Sequence, residues 1–202
     1  MILYLTKQTI DRFKVKLPNE LSEDLRGIAN VVMEKEQGDS LLEWGGKLFY
    51  FDRRKCLQVV NFASKFTLFL VDIKKDMFSD IPNYMANYLF DIFHDDKEMT
   101  SALEKMFQES PIACFERLTD KSTIATLNTT QRTFLDDGNY LYDFIQDGIL
   151  HTREVNYTVN FKYLTTVNVD GKKDYHYPGE VFRDIVLKRY GESPKPHFRI
   201  VN

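Results

Sequence analysis

Hydrophobic positions change period several times along this chain. Met1–Leu5 is short and apolar, as a strand would be, and a polar turn of helix follows around Thr6–Phe13. After Ser22, the residues Leu25, Ile28, Ala29, Val32 and Met33 keep the spacing of one helix face, with Ser22 as cap and Gly38 as stop. From Leu42 the pattern turns to β-branched and aromatic runs: Leu42–Phe51, Lys55–Phe62 and Phe66–Ile73, separated only by Asp52–Arg54 and Ala63–Lys65. Connections that short join antiparallel neighbours, so a three-stranded meander is expected. Gly45-Gly46 inside the first of these strands suggests a bulge.

Helical spacing returns at Ile81, Tyr84, Met85, Tyr88, Leu89, Ile92 and Phe93, behind Asp80 as N-cap. Met99, Ala102, Leu103, Met106 and Phe107 repeat it after the polar break His94–Lys97, which predicts a helix hairpin with one apolar face. Ile112–Leu118 and Ser122–Leu127 read as two strands around Thr119–Lys121. Gln131–Asp136 and Tyr140–Ile145 read as short helices closed by Gly138 and Gly148. Val159–Val169 and Lys172–Tyr177 flank Asp170-Gly171, a pair that suits a type I′ turn because both central residues need positive φ. Pro178 opens a last helix, with Val181, Phe182, Ile185 and Val186 inward and Gly191 beyond its end. Strand runs and helical blocks without βαβ alternation indicate α+β: a single domain over 1–191, then an extended tail over 192–202 that carries Pro194 and Pro196.

Composition agrees with a folded domain. The 202 residues are 43% hydrophobic, 28% charged and 14% aromatic, which excludes disordered, collagenous and disulfide-scaffold chains. A chain of this mass buries about 70% of its unfolded surface, so a sizeable core needs no staples. No apolar run approaches a bilayer span, and five mostly apolar residues before Lys7 are too few for a signal peptide. Two cysteines, Cys56 and Cys114, suit a reducing compartment, so a cytoplasmic protein with no membrane partner is expected.

The net charge of −3 hides a polarity. Residues 47–75 hold seven cations (Lys47, Arg53, Arg54, Lys55, Lys65, Lys74, Lys75) against Asp52 and Asp72, whereas residues 76–116 hold nine acids against Lys97 and Lys105. A basic strand surface could serve a phosphate or an acidic partner. The plainer reading, that the two charge sets compensate each other across the fold, is favoured because surface charges are individually worth little.

Asp52-Arg53-Arg54-Lys55-Cys56 is the most unusual local run. Three consecutive cations could grip a phosphate, and Arg54 would share a strand face with Cys56, where it could lower the thiol pKa. No histidine lies nearby in sequence as a base, and the favoured reading is a charged turn leading into a strand where Cys56 packs as a small hydrophobe. The histidines at 94, 151, 176 and 197 show no metal-ligand spacing, and no cofactor motif is present, so neither metal nor cofactor is expected. Asn61, Asn128 and Asn160 stand at or beside predicted strand ends, and Asp120 lies in the Thr119–Ser122 turn. Such groups could converge on a ligand, but they more often close turns.

Trp44, then Asp52–Cys56, then Asn61-Phe62-Ala63-Ser64-Lys65-Phe66-Thr67-Leu68 resemble the motifs of a family of uncharacterised bacterial proteins built on one domain of unknown function. Leu118-Thr119-Asp120-Lys121-Ser122 running to Asn128, Gly148-Ile149-Leu150, Asn160 and Tyr177-Pro178 are similar too. The resemblance implies a bacterial source and one domain over nearly the whole chain; it brings no activity, cofactor or active site to carry over.

Two functions stay open. One is a non-enzymatic binding module that engages an unidentified macromolecular partner, a protein rather than a nucleic acid, through the basic meander. The other is an enzyme acting on a nucleotide or nucleic acid, with Arg53, Arg54, Lys55 and Lys65 gripping the phosphate and Asn61, Asp120 and Asn128 orienting it. The module is favoured because no set of acid, base, nucleophile and oxyanion donor can be named. A deep cleft lined by Asn61, Asp120 and Asn128 would favour the enzyme; a flat basic surface would favour the module.

Overall fold

The computed structural model describes residues 1–136 and 140–192. The order of elements is β1 (Ile2–Leu5), α1 (Lys7–Phe13), α2 (Glu23–Glu36), β2 (Glu43–Phe51), β3 (Arg54–Asn61), β4 (Thr67–Leu70), α3 (Ile81–Ile92), α4 (Lys97–Glu109), β5 (Cys114–Arg117), α5 (Lys121–Gln131), β6 (Ile145–Gln146), β7 (Ile149–Leu150), α6 (Thr152–Phe161), β8 (Thr165–Val169), β9 (Lys172–His176) and α7 (Pro178–Tyr190). The fold is α+β. The expected meander forms the antiparallel half of a five-stranded sheet ordered β4-β3-β2-β1-β5, in which β1 and β5 add parallel pairings. Among the described residues no helix is long and apolar enough to cross a membrane.

Strand alternation divides the core between the two faces of this sheet. Leu3, Leu5, Trp44, Leu48, Leu57, Val59, Leu68 and Leu70 point to one face, where they meet Leu89, Met99, Leu103, Met106, Phe182 and Val186 of α3, α4 and α7. Phe49, Phe51, Cys56 and Phe69 point to the other and pack on Phe134, Leu141, Val155 and Val159. Val60 shares that second face with Leu118 and Leu127. The helix hairpin thus packs as its stripe predicts, capped by the Asp96 carboxylate on the Met99 N–H at 3.1 Å.

α6 closes the β4 edge by an uncommon device. Asn160 accepts from the Thr67 N–H at 2.8 Å and donates to the Thr67 carbonyl at 2.7 Å. Asn156 does the same for Phe69, at 2.7 and 3.3 Å. Four residues along a helix rise about 6 Å, and two residues along a strand rise about 6.6 Å. The two amides therefore continue the ladder where a sixth strand would, and occupy the outward backbone groups of Thr67 and Phe69 that another chain could pair with.

Several expectations need correction. Ser122–Leu127 is helical, inside α5: Asp120 caps the Thr123 N–H at 2.6 Å, and Ile124 and Leu127 face the sheet one turn apart, so packing overrides the strand preference of threonine. Val159–Phe161 ends α6, and the hairpin starts only at Thr165; its turn, with Asp170 at φ 50° and Gly171 at φ 81°, is as expected. Gly45-Gly46 makes no bulge, because β2 pairs in unbroken register with β1 and β3. Gly148 closes no helix but turns the β6–β7 hairpin together with Asp147, both at positive φ. On α2, Leu25 and Ile28 are exposed and only Ala29 of the predicted apolar set is buried. Gly138 and the tail beyond Glu192 lie outside the described residues.

Leu89 is fully buried at the centre of the α3 stripe. Leu89→Ala should lower stability by about 2–5 kcal/mol through lost burial plus the cavity left behind, read as a lower urea midpoint with unchanged slope. Asn160→Ala should strand the Thr67 N–H and carbonyl at about 1–3 kcal/mol each. Amide hydrogen exchange should show the Thr67 N–H losing protection before the β2–β3 pairs do; equal protection in both proteins would refute the edge role.

Candidate functional site

The β3–β4 turn is built on one amide. The Asn61 Nδ2 donates to the carbonyls of Leu41 at 2.8 Å and of Ser40 and Glu43 at 3.4 Å. Its Oδ1 accepts from the Ser64 N–H at 3.1 Å and the Ser64 hydroxyl at 3.0 Å. The Ser64 Oγ in turn takes the Phe66 N–H at 3.1 Å. Turn and α2–β2 loop are thereby locked together, and the chain passes through Lys65 in the left-handed region, at φ 61°.

That conformation sends the Lys65 side chain under α5. Its Nζ donates to the Thr123 Oγ1 at 3.3 Å and lies 5.8 Å from the centre of the Phe62 ring, which stacks on Tyr4. Lys65 is only 8% exposed. α5 comes this close because β2 has a glycine below it: a Cβ on Gly45 would sit 2.4 Å from the Thr123 Cγ2. Burial pushes the Lys65 pKa below its ordinary value; the Asp120 carboxylate opposes that shift and Lys173 adds to it. Asp120 stands exposed at the α5 cap; its partial desolvation would by itself raise its pKa, but bonds from the Thr123 backbone and hydroxyl and the Lys65 charge hold it below the ordinary carboxylate range.

Lys65 opens into a cleft of 730 Å³ between α5, the β3–β4 turn and the β8–β9 hairpin. α5 contributes Ser122, Thr126, Thr129 and Thr130, a stripe of hydroxyls at helical spacing beside its buried Thr123 and Leu127. The hairpin contributes Thr166, Asn168, Lys173 and Tyr175. Thr166 pairs with Tyr175 and Asn168 with Lys173, so these four stand as a square on one hairpin face. The lining has two lysines and no carboxylate, histidine or thiol.

The other sequence-derived candidates are dispersed. Arg53 sits in the two-residue β2–β3 turn, with Asp52 at φ 46° and Arg53 at φ 62°. Arg54 pairs with Asp72 at 3.0 Å on the open surface, and the Lys55 Nζ lies 5.8 Å from the centre of the Phe13 ring. This rim is the far end of β3 from Asn61, seven residues or about 23 Å away. Asn128 accepts from Lys47 at 2.9 Å and does not line the cleft. Of the candidates, the structure gathers only Asn61, Lys65 and Asp120 at one place, with Asn61 in the frame, Asp120 at the α5 cap and Lys65 in the wall. Lys173, Tyr175, Asn168 and the α5 hydroxyls were not singled out in the sequence. Asp170-Gly171 does fix the square's register, and positions 122, 126, 129 and 130 share a face once α5 is taken as a helix.

Three acids of residues 76–116 pair outside the basic meander. Asp96 pairs with Arg183 at 2.7 Å, Glu109 with Arg189 at 2.8 Å, and Asp95 with Arg153 at 3.6 Å, all on α6 and α7. Cys56 and Cys114 are free and buried, as the reading of Cys56 as a packed small hydrophobe has it, and burial pushes the Cys56 thiol up despite Arg54 two residues away. Among the described residues no three or more His, Cys, Asp or Glu side chains are grouped to hold a metal ion.

Gly45→Ala should force the first turn of α5 off the sheet. A destabilisation of about 1–3 kcal/mol is expected from such overpacking, and the denaturation midpoint reads it. An unchanged midpoint would mean that α5 does not depend on this contact.

No curated protein and no solved structure matches the chain. A family model matches residues 2–181, a span that takes in every residue lining the cleft. With nearly the whole chain covered, the protein belongs to the family described as a domain of unknown function, DUF6933.

Proposed function

We propose that the protein is a binding module of the bacterial cytoplasm that takes a phosphate-bearing ligand in the cleft between α5 and the β8–β9 hairpin. One observation carries this reading: Lys65 is 8% exposed, lines the cleft, and its ammonium makes a hydrogen bond to one hydroxyl with no ion pair among the described residues. A buried ammonium with donors to spare is costly unless an anion meets it. Lys173 adds a second positive charge, the hydroxyls of α5 supply neutral donors, and no carboxylate in the lining repels an anion. The two free cysteines suit a reducing compartment. The Arg53–Lys55 rim supports binding less well, since Arg54 already has Asp72 and both are solvated. A binding role is favoured over catalysis because the lining offers no thiol, imidazole or carboxylate to act as nucleophile or base.

Ribose 5-phosphate, titrated calorimetrically, should bind wild type and the Arg53→Ala/Arg54→Ala variant alike. Lys65→Met should lose about 1.5–3 kcal/mol of binding, the worth of a charge-assisted hydrogen bond. It should not lower stability, because an apolar side chain of similar volume replaces an ammonium that burial disfavours more than Asp120 favours it. The pH dependence has a definite sign. The folded-state pKa of Lys65 lies below the ordinary 10.5, so the unfolded chain holds the extra proton between the two values. Stability contributed by this group therefore rises with pH across that window. Phosphate affinity should instead fall as pH climbs through the lowered pKa and the ammonium is lost. A Lys65→Met protein that unfolds more easily and binds normally would make Lys65 structural and end this reading.

A further inference from the structure

We infer that the ligand of this cleft is a mononucleotide, with its base read by Tyr175 and Asn168 of the hairpin square and its phosphate met by Lys65 and Lys173; the inference rests on the phosphate reading above. Tyr175 is 69% exposed, and among the described residues its ring stacks on no other aromatic, although it lines the cleft. An aromatic face left open in a polar, cationic cleft is a platform for a planar ring, and stacking on it tolerates any base. Phe62 cannot serve in the same way, because its ring is already stacked on Tyr4 at 5.2 Å.

The hairpin's register supplies the rest of the recognition. Lys173 and Tyr175 share a face of β9 two residues apart, a separation of about 6.6 Å along a strand, which a pentose bridges between its phosphate and its base. Asn168 pairs directly with Lys173 across the hairpin and presents an amide, a group that can donate to and accept from a base edge. Lys65 faces this square from the opposite wall, so phosphate and base have separate partners. The cleft's 730 Å³ accommodates a nucleotide with its shell of water.

The test compares adenosine 5′-monophosphate with ribose 5-phosphate on the full chain, by calorimetry, with far-UV circular dichroism to verify each variant's fold. Wild type should bind the nucleotide about 5- to 140-fold more tightly than the sugar phosphate, the range expected for one stacked base at 1.4 kcal/mol per tenfold. Tyr175→Ala should remove that ratio while leaving ribose 5-phosphate affinity intact, and Tyr175→Phe should restore it, since stacking needs the ring and not the hydroxyl. Lys65→Met should weaken both ligands together. Equal affinities for the two ligands in wild type, or a ratio indifferent to Tyr175→Ala, would overturn the nucleotide inference and leave the phosphate reading standing. Binding to a single-stranded oligonucleotide but not to the mononucleotide would overturn it too. If neither small phosphate binds, the phosphate reading fails and this inference fails with it.

Discussion

A single buried side chain, Asn61, holds together the parts of this protein that matter most for a ligand. A primary amide has two donors and an acceptor oxygen, and burying it is tolerable only when they are used. Here three hydrogen bonds tie the β3–β4 turn to the α2–β2 loop and the start of β2, over a chain separation of about twenty residues, and two more close the turn on Ser64. The register of the meander, the left-handed backbone at Lys65 and the position of Ser40 on the cleft rim all follow from that junction. The Asn61-Phe62-Ala63-Ser64-Lys65 run is thus one device: the asparagine and serine fix the turn, and the turn presents the lysine.

The second face of the sheet shows why the cleft exists at all. Gly45 lets α5 settle directly on β2. Asn156 and Asn160 dock α6 along the outer edge of β4, from which Val155 and Val159 reach over the part of the same face that carries Phe49 and Phe69. The two helices are therefore set apart, and the β8–β9 hairpin that follows α6 stands over α5's outer side instead of joining the main sheet. A sixth strand in place of α6 would have extended the sheet and left the hairpin with nothing to enclose.

Much of the architecture was legible because its signals are local. The meander, the α3–α4 hairpin, the Asp170-Gly171 turn and the Pro178 helix start each rest on periodicity or turn chemistry within about ten residues. What failed rests on partners distant in sequence. Threonine-rich α5 is helical because a glycine some seventy-five residues earlier makes room for it. The start of the hairpin shifted because Val155, Asn156, Val159 and Asn160 form the buried face of α6 against β4, a pattern that a strand reading of Val159 hides. The glycine pair in β2 looked like a bulge, and its reason is the close approach of Thr123 on one side and Leu5 on the other. For the site, residue type alone pointed to the three cations of the β2–β3 turn, where charge is densest; burial, which sequence does not display, points to Lys65.

Burial also decides where an anion gains most. A charge pair at 4 Å is worth about 1 kcal/mol in bulk water and about four times that at the effective dielectric of a protein surface site, so enclosure outweighs the number of cations. Arg54 stands on a surface more than half solvated and already has a carboxylate, so an arriving phosphate would displace Asp72 to gain little. Three carboxylates of the acidic segment, Asp95, Asp96 and Glu109, pair with arginines of α6 and α7 and not with that rim. Lys65 differs in both respects. Its desolvation is already built into the fold by Asn61, Ser64 and the α5 contact over Gly45, so a phosphate entering the cleft meets a charge that water has largely left. The fold bears the cost of stripping that ammonium of water before any ligand arrives, and the return appears only when an anion is bound.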